Sequence, residues 1–229
     1  MVEPRRLLCA GLGIAAALVA VTGPLAERAH HDFAAHAVTH VLLGMLAPLL
    51  IGLAAPVTLA LRVLPVAHAR RLARLLRSRP VRVLTEPAVA AVLSVGGMWV
   101  LYRTDLYALS AHSPSLHLLV HMHVFAAGYL FTVGIVGSDP MPHRRPYAHR
   151  AVVLVLALAA HDILAKSLHA APPAGVAVEQ AQVGAMIMYY GGDAVDLALA
   201  VVLCERWYRA AGRRLAGGQS QSRRRANAP

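Results

Sequence analysis

Charged residues are scarce in this 229-residue sequence, at 14% against 58% hydrophobic residues, and the mean hydropathy is positive. A soluble domain of this size could not bury so much apolar surface in one core, which excludes the ordinary soluble classes. Acidic residues are few as well, 11 against 22 Lys and Arg, so the formal charge is +11. Nucleic acid is not the expected partner, because the basic residues lie between apolar segments and at the ends.

Cysteine is nearly absent. Cys9 and Cys204 lie far apart in the sequence and have no CxxC spacing, which excludes a disulfide framework. The lack of any cysteine at the predicted outer surface also argues against a closed structural zinc site.

The sequence instead contains several long runs of uncharged, mostly apolar residues. No residue from 41 to 61 ionises, and a helix of this length crosses a bilayer core of about 30 Å. We predict an all-α, polytopic transmembrane helix bundle in residues 1–210, followed by a disordered basic tail, 211–229. The first run follows Arg5 and Arg6 and could instead be a cleaved export signal, although an uncleaved span is favoured. The six predicted spans are residues 7–22, 35–61, 84–102, 115–137, 151–168 and 180–204.

The distribution of basic residues predicts how this bundle is oriented in the membrane. Nineteen Lys and Arg lie on the side of the two termini and three on the other side, so the positive-inside rule places both termini in the cytoplasm. The expected location is the bacterial plasma membrane, crossed several times. Residues 62–82 alternate leucine with arginine at helical spacing and predict an amphipathic helix on the anionic inner leaflet.

Histidines follow the opposite distribution, since ten of the thirteen fall on the predicted outer side. Two pairs have i, i+4 spacing, His36 with His40 and His117 with His121, and this spacing lets one helix offer two nitrogens to one metal ion. Hydrogen bonding between helices is the alternative role. Haem is the rival cofactor, but two histidines that ligate a membrane haem usually come from two helices.

Methionines suggest which metal. Thioether and imidazole together suit Cu(I), which makes copper the better prediction than zinc. Methionine also fills gaps in ordinary packing, and the intramembrane acids could form an internal polar network or a proton path. Candidate further ligands or supporting residues are His123, His161, Met45, Met122, Met186, Met188, Asp162, Asp193 and Asp196.

Three stretches carry a resemblance to a known family. They are AHAVTHVLLGMLAPLLIGLAAPVTLALRVLP, LHLLVHMHVFAAGYLFTVGIVGSDPMP and EQAQVGAMIMYYGG. The sequence resembles, over roughly residues 34 to 205, the membrane cytochrome c oxidase assembly factors of the CtaG type. This resemblance implies a membrane protein that helps deliver copper to the oxidase, with His36, His40, His117 and His121, and with His123 as a further candidate, carrying the metal.

The expected mechanism is metal relay without catalysis, in which few ligands hold copper so that it can be passed on. An oxidase subunit would receive the ion, and a soluble copper donor is a further expected partner. Three alternatives stay open. A copper or proton transporter would show flux into vesicles, a haem-bearing redox protein would show a Soret band, and a scaffold would work without His36 and His40.

Overall fold

The computed structural model describes residues 3–137, 139 and 143–226 of the chain. It is 87% helix and has no strand in those residues, which confirms the all-α prediction. We number the helices in chain order as α1 Pro4–Val21, α2 Gly23–Ala29, α3 Phe33–Val63, α4 Val66–Leu76, α5 Arg79–Leu84, α6 Pro87–Arg103, α7 Leu106–His112, α8 Pro114–Val136, α9 Tyr147–Ala170 and α10 Val178–Ala226.

Among the residues that the structure describes, five helices are long and apolar enough to cross a membrane: Pro4–Val21, Phe33–Val63, Pro114–Val136, Tyr147–Ala170 and Val178–Arg214. The predicted span 84–102 corresponds to α6, an apolar helix of 17 residues. At about 1.5 Å per residue α6 is roughly 25 Å long, which is less than a hydrocarbon core of about 30 Å. The structure therefore has five candidate spans where the sequence predicts six, and the six-span count and the sidedness stay predictions.

Helix α3 contains the uncharged run and is not a regular α-helix throughout. Asp32 caps its start, because the carboxylate accepts a hydrogen bond from the N–H of Ala34 at 2.8 Å. Pro48 has no N–H to donate to the carbonyl of Gly44, and a π-helical turn, Val41–Leu46, lies just before it. Ala55 adopts a left-handed conformation with φ 54° and interrupts the helix before its last segment.

Helices α3 and α8 approach each other through two glycines. A Cβ atom on Gly128 would collide with the carbonyl oxygen of Gly44. The contact therefore requires glycine in α8, and it brings the π-helical turn of α3 against the middle of α8. Small residues serve this purpose widely between membrane helices.

One end of the bundle is rich in arginine. Arg150 of α9 donates to the carbonyl of Ile135 at 2.9 Å, and Arg206 of α10 donates to the carbonyl of Val136 at 3.0 Å. Basic side chains stabilise the unpaired carbonyls at a helix C-terminus, and Gly137 completes the end of α8 with φ 61°. We call this region, together with Glu86, Asp139, Arg144 and Arg145, the arginine end.

The opposite end gathers histidines and tyrosines. His36, near the start of α3, bonds to Tyr102 near the end of α6, and Phe33 lies against Gly184 near the start of α10. We call this region, together with His30, His117 and His121, the histidine end. Because α3, α8 and α10 run from here to the arginine end while α6 and α9 run back, long helices that follow one another in the chain are antiparallel. Helix α3 packs parallel to α8 and α10.

Two buried apolar clusters fill the bundle between these ends. The cluster nearer the histidine end includes Phe33, Met98, Leu101, Tyr102, Leu164, Leu168 and Met188. The cluster nearer the arginine end includes Leu49, Phe131, Ile135, Val136, Leu154, Leu199 and Leu203. A cavity bordered by members of both clusters lies between them, and it belongs to the site described below.

The basic segment 62–82 contains α4 and the first part of α5, so helix forms where the periodicity predicts it, but residues 64–65 and 77–78 are not helical. The backbone of helix α10 is assigned as helical to Ala226. The predicted disordered basic tail, 211–229, stays a prediction, and residues 227–229 lie outside the described residues. No proline interrupts the backbone hydrogen bonds between 178 and 226.

Candidate functional site

Three imidazoles form a contiguous cluster on the surface of the histidine end. The rings of His117 and His121 have centroids 4.2 Å apart, and the ring of His30 lies 4.6 Å from that of His117. His30 directly follows the end of α2 and is exposed. All three line a cavity of about 380 Å³ between α1, α2, α7 and α8.

His36 is held below this cluster by aromatic residues. Its Nε2 lies 3.0 Å from the hydroxyl of Tyr102, and its ring stacks on Phe33 at 5.9 Å between centroids. Tyr107 meets the same ring edge-on at 5.0 Å. Burial, and then the charge of Asp32, raise the pKa of Tyr107 to about 12, so its hydroxyl stays neutral beside the imidazole.

Three of the four predicted metal ligands line one cavity. His36 and His40 of α3 and His121 of α8 face the same space between α3, α6 and α8, and His117 adjoins it through its contact with His121. Within the described ranges, however, no three side chains of His, Cys, Asp or Glu come close enough together to hold a metal ion. The four-histidine site is therefore not a preformed cage, and its role in metal binding stays a prediction.

His40 also faces inward, towards His161 of α9. The two rings are 6.4 Å apart between centroids and inclined by 26°. Both side chains are buried, and neither Nε2 atom has a hydrogen-bond partner in the described part of the chain. Asp162 lies beside this pair, with Oδ1 at 3.8 Å from Nδ1 of His161.

The cavity around His40 and His161 has a volume of about 40 Å³. Met45 lines it, as does the buried carboxylate of Asp196 on α10. Asp193, which is also on α10, interacts with Asp162 of α9. Four of the candidate supporting residues, His161, Met45, Asp162 and Asp196, are thus brought together in the interior or at its edge.

Other candidate residues lie elsewhere. His123 is exposed and bonds through Nε2 to the carbonyl of Leu93 at 3.0 Å. Met122 and Met186 are 62% and 46% exposed, while Met188 is fully buried in the apolar cluster near the histidine end. None of these four side chains lines the cavities that contain the imidazoles described above.

Sequence reasoning did not identify several residues of the site. One of them is Tyr102, which bonds to His36. Met98 and Ser94 of α6 line the interior cavity, and a second π-helical segment, Val92–Gly96, lies at the same place. The adjacent glycines 96 and 97 are the one sequence signal near that segment.

The fold and these side chains define a helical membrane protein whose imidazoles gather at one end and continue into the interior. Residues 2–210 match the family of cytochrome c oxidase caa3 assembly factors. The chain belongs to this family, which confirms the resemblance found in the sequence.

Similar curated proteins come from mycobacteria. Uncharacterized proteins of Mycobacterium bovis and Mycobacterium tuberculosis are each 37% identical over 163 residues, which is 67% of this chain and 24% of the relative. One from Mycobacterium leprae is 32% identical over 136 residues, or 56% of this chain and 21% of the relative. The chain thus spans about a quarter of the length of these relatives. No solved structure matches it.

Proposed function

We propose that this protein receives copper as Cu(I) at the histidine end and delivers it to a subunit of cytochrome c oxidase during assembly. Copper is the cargo of the protein in this proposal, and no covalent bond is made or broken. The family supplies the role in oxidase assembly. The observation that supports copper as the cargo is the continuous series of imidazoles from His30, through His117 and His121, to His36 and His40.

The incomplete geometry of this series suits delivery. Imidazole and thioether donors select soft Cu(I) over harder ions. Because no three ionisable ligands converge in the described residues, the ion would be held by few donors at each position. A site with few ligands exchanges its metal readily with the next set of ligands, which a relay requires.

The proposed orientation follows from charge. The histidine end would face the outside of the bacterial plasma membrane, where a soluble copper donor and the oxidase subunit are reached. The arginine end and helix α4, with Arg70, Arg71 and Arg74, would lie at the cytoplasmic surface. Each basic residue near an anionic leaflet contributes about 1 kcal/mol.

The test is copper loading of the oxidase in cells that carry variants of this protein. We expect His117→Ala with His121→Ala to lower the copper content and the activity of the oxidase severalfold, since these rings form the outer part of the series. His169→Ala is the matched control because His169 is exposed at the end of α9. Full oxidase copper in the double variant, with normal amounts of the protein in the membrane, would contradict the proposal.

Transport across the membrane is the second candidate function. It is favoured by one observation, namely that the acids Asp162, Asp193 and Asp196 extend the polar residues inward from His40 and His161. Intramembrane ionisable residues often mark ion pathways. Copper or proton flux into vesicles that contain the purified protein would support transport, whereas copper binding without flux would support the assembly role alone.

A further inference from the structure

Two buried imidazoles share the interior cavity without hydrogen-bond partners at Nε2. His40 of α3 is 5% exposed and His161 of α9 is 3% exposed. In the described part of the chain, neither Nε2 has a partner, and Nδ1 of His161 also has none. Buried polar groups are nearly always paired, so this arrangement calls for a ligand.

The two rings sit against glycines. The edge of His40 that carries Cε1 and Nδ1 lies beside Gly44 of its own helix, and His161 approaches Gly192 of α10 through Cε1, with Nδ1 closer to Gly192 than Nε2 is. Nδ1 of His161 is also the nitrogen nearest Asp162. A carboxylate beside one ring nitrogen of a histidine commonly orients the other nitrogen towards a metal.

The separation of the rings suits one ion. Their centroids are 6.4 Å apart and their planes differ by 26°. Because bonds from imidazole nitrogen to a metal are about 2.0–2.1 Å, two rings that share an ion through facing nitrogens have centroids roughly 6 Å apart. The surrounding cavity, of about 40 Å³, has room for a single small ion.

The walls of the cavity supply further donors and a feature typical of functional sites. The π-helical segments Val41–Leu46 and Val92–Gly96 both border it, the first with Met45 and the second with Ser94. Such segments are rare and occur frequently at functional sites. The carboxyl group of Asp196, also in the wall, adds oxygen atoms that can act as donors.

We propose that His40 and His161 hold one Cu(I) ion between their Nε2 atoms inside the bundle, within reach of the thioether of Met45. This interior site is distinct from the cluster of His30, His117 and His121 at the surface. His40 lines both the interior cavity and the cavity shared with His36 and His121, so it connects the two. The inference rests on the proposed function in that copper is taken to be the cargo.

The experiment is a Cu(I) titration of the purified full-length protein in detergent, against a chromogenic Cu(I) chelator. We expect His161→Ala to weaken the tightest binding by about tenfold or more, as loss of a metal-site residue does. His169→Ala, an exposed change on the same helix, should bind like the wild type. His161→Gln keeps a polar side chain of similar reach and serves as a second variant if His161→Ala does not fold, as judged by gel filtration.

A second measurement separates the interior site from the surface cluster. The variant His117→Ala with His121→Ala should retain one tightly bound Cu(I), and X-ray absorption should show nitrogen scatterers at about 2.0 Å. The inference is overturned if the wild type binds copper and both His161 variants bind it equally well, which would leave a water molecule as the occupant of the cavity. If the wild type binds no Cu(I), the proposed copper function fails as well.

Discussion

The buried charged side chains of Asp139 and Arg150 at the arginine end each have at least one hydrogen-bond partner, whereas in the described part of the chain several buried nitrogens near the histidine end and in the interior have none. Asp139 accepts hydrogen bonds from the backbone N–H and the hydroxyl of Thr58, each at 2.8 Å. Arg150 leaves its Nε unpaired, but it donates to Ile135 and its guanidinium lies 4.1 Å from the centroid of the Tyr147 ring. By contrast, Nε2 of His40 and both ring nitrogens of His161 lack partners in the described residues.

This difference indicates that buried polar side chains have two roles in the protein, one in stability and one in ligand binding. A buried charge with hydrogen-bond partners fixes helix ends and contributes to stability. A buried nitrogen without a partner lowers stability, so it persists where a ligand completes it. Substitutions at the arginine end should therefore change folding, and substitutions around His40 and His161 should change binding.

The largest effect on stability is expected for Arg150→Ala. The variant removes a buried guanidinium from the carbonyl of Ile135 and should lower the free energy of unfolding by roughly 2–3 kcal/mol. Arg145→Ala is the control, because the Arg145 side chain is 54% exposed and its ion pair contributes about 1 kcal/mol or less. Denaturation by SDS in mixed micelles measures both; equal stability of the two variants would contradict the structural role of the arginine end.

Gly128→Ala should cause the next largest loss in the free energy of unfolding. The added methyl group collides with the carbonyl of Gly44, so α3 and α8 must separate at a cost of about 1–3 kcal/mol. The same change at Gly11 meets no atom within 4 Å and should not destabilise the protein. Because the separation also widens the wall of the interior cavity, Cu(I) titration of Gly128→Ala should show weaker binding. Unchanged unfolding of both variants would show that the helices do not require this contact.

Tyr102→Phe tests whether His36 only stabilises the fold through its hydrogen bond or also binds copper. Loss of the hydroxyl that bonds to Nε2 of His36 should lower the free energy of unfolding by about 1 kcal/mol and leave the interior binding at His40 and His161 unchanged. Tyr190→Phe, at a side chain that is 68% exposed, is the control for the chemical change. A loss of copper affinity in Tyr102→Phe alone would place His36 among the ligands of the tightest site.

The smallest loss of stability is expected on replacing Glu86. The carboxylate of Glu86 caps the start of α6 by accepting hydrogen bonds from the N–H groups of Ala88 and Val89. Partial burial raises its pKa, but hydrogen bonds from Val89, His149 and Ala88 lower the pKa more, and the net pKa is lowered. Glu86→Ala should cost about 0.5 kcal/mol at neutral pH, the low end of the range for a helix cap.

The pH dependence of this effect has a defined sign. A pKa that is lower in the folded chain means that Glu86 stabilises the fold fully above the pKa of the unfolded chain, about 4.3, and less as the pH falls through the folded value. The difference in stability between wild type and Glu86→Ala should therefore shrink as the pH falls below about 4. A constant difference between pH 7 and pH 3 would show that the ionised carboxylate does not form the cap.

The sequence was sufficient to predict the long helices and the pairs of histidines, because apolar length and i, i+4 spacing are local properties. Helix α3 and the basic helix α4 follow directly from these patterns. The cavity shared by His36, His40 and His121 also follows from placing both pairs at the same end.

The sequence could not predict which face of one helix meets which face of another. Met186 and Met188 are two residues apart, yet one is 46% exposed and the other is fully buried, since two helical positions differ by more than half a turn. The contact of His40 with His161 joins residues 121 positions apart, and the two π-helical segments have no simple residue pattern. The interior part of the candidate site therefore became visible only in three dimensions.

The short length of α6 would have a consequence for the surrounding lipid if α6 crosses the membrane, as the sequence predicts. A span of roughly 25 Å beside longer neighbours would create a hydrophobic mismatch, and a bilayer adapts to a short span by thinning locally. Since α6 also provides Ser94, Val95 and Met98 to the wall of the interior cavity, the thinned lipid would lie along this side of the protein. Lipid headgroups and water would then come closer to His40 and His161 here than elsewhere on the perimeter, so membranes made of shorter acyl chains should ease the exchange of an ion at that pair.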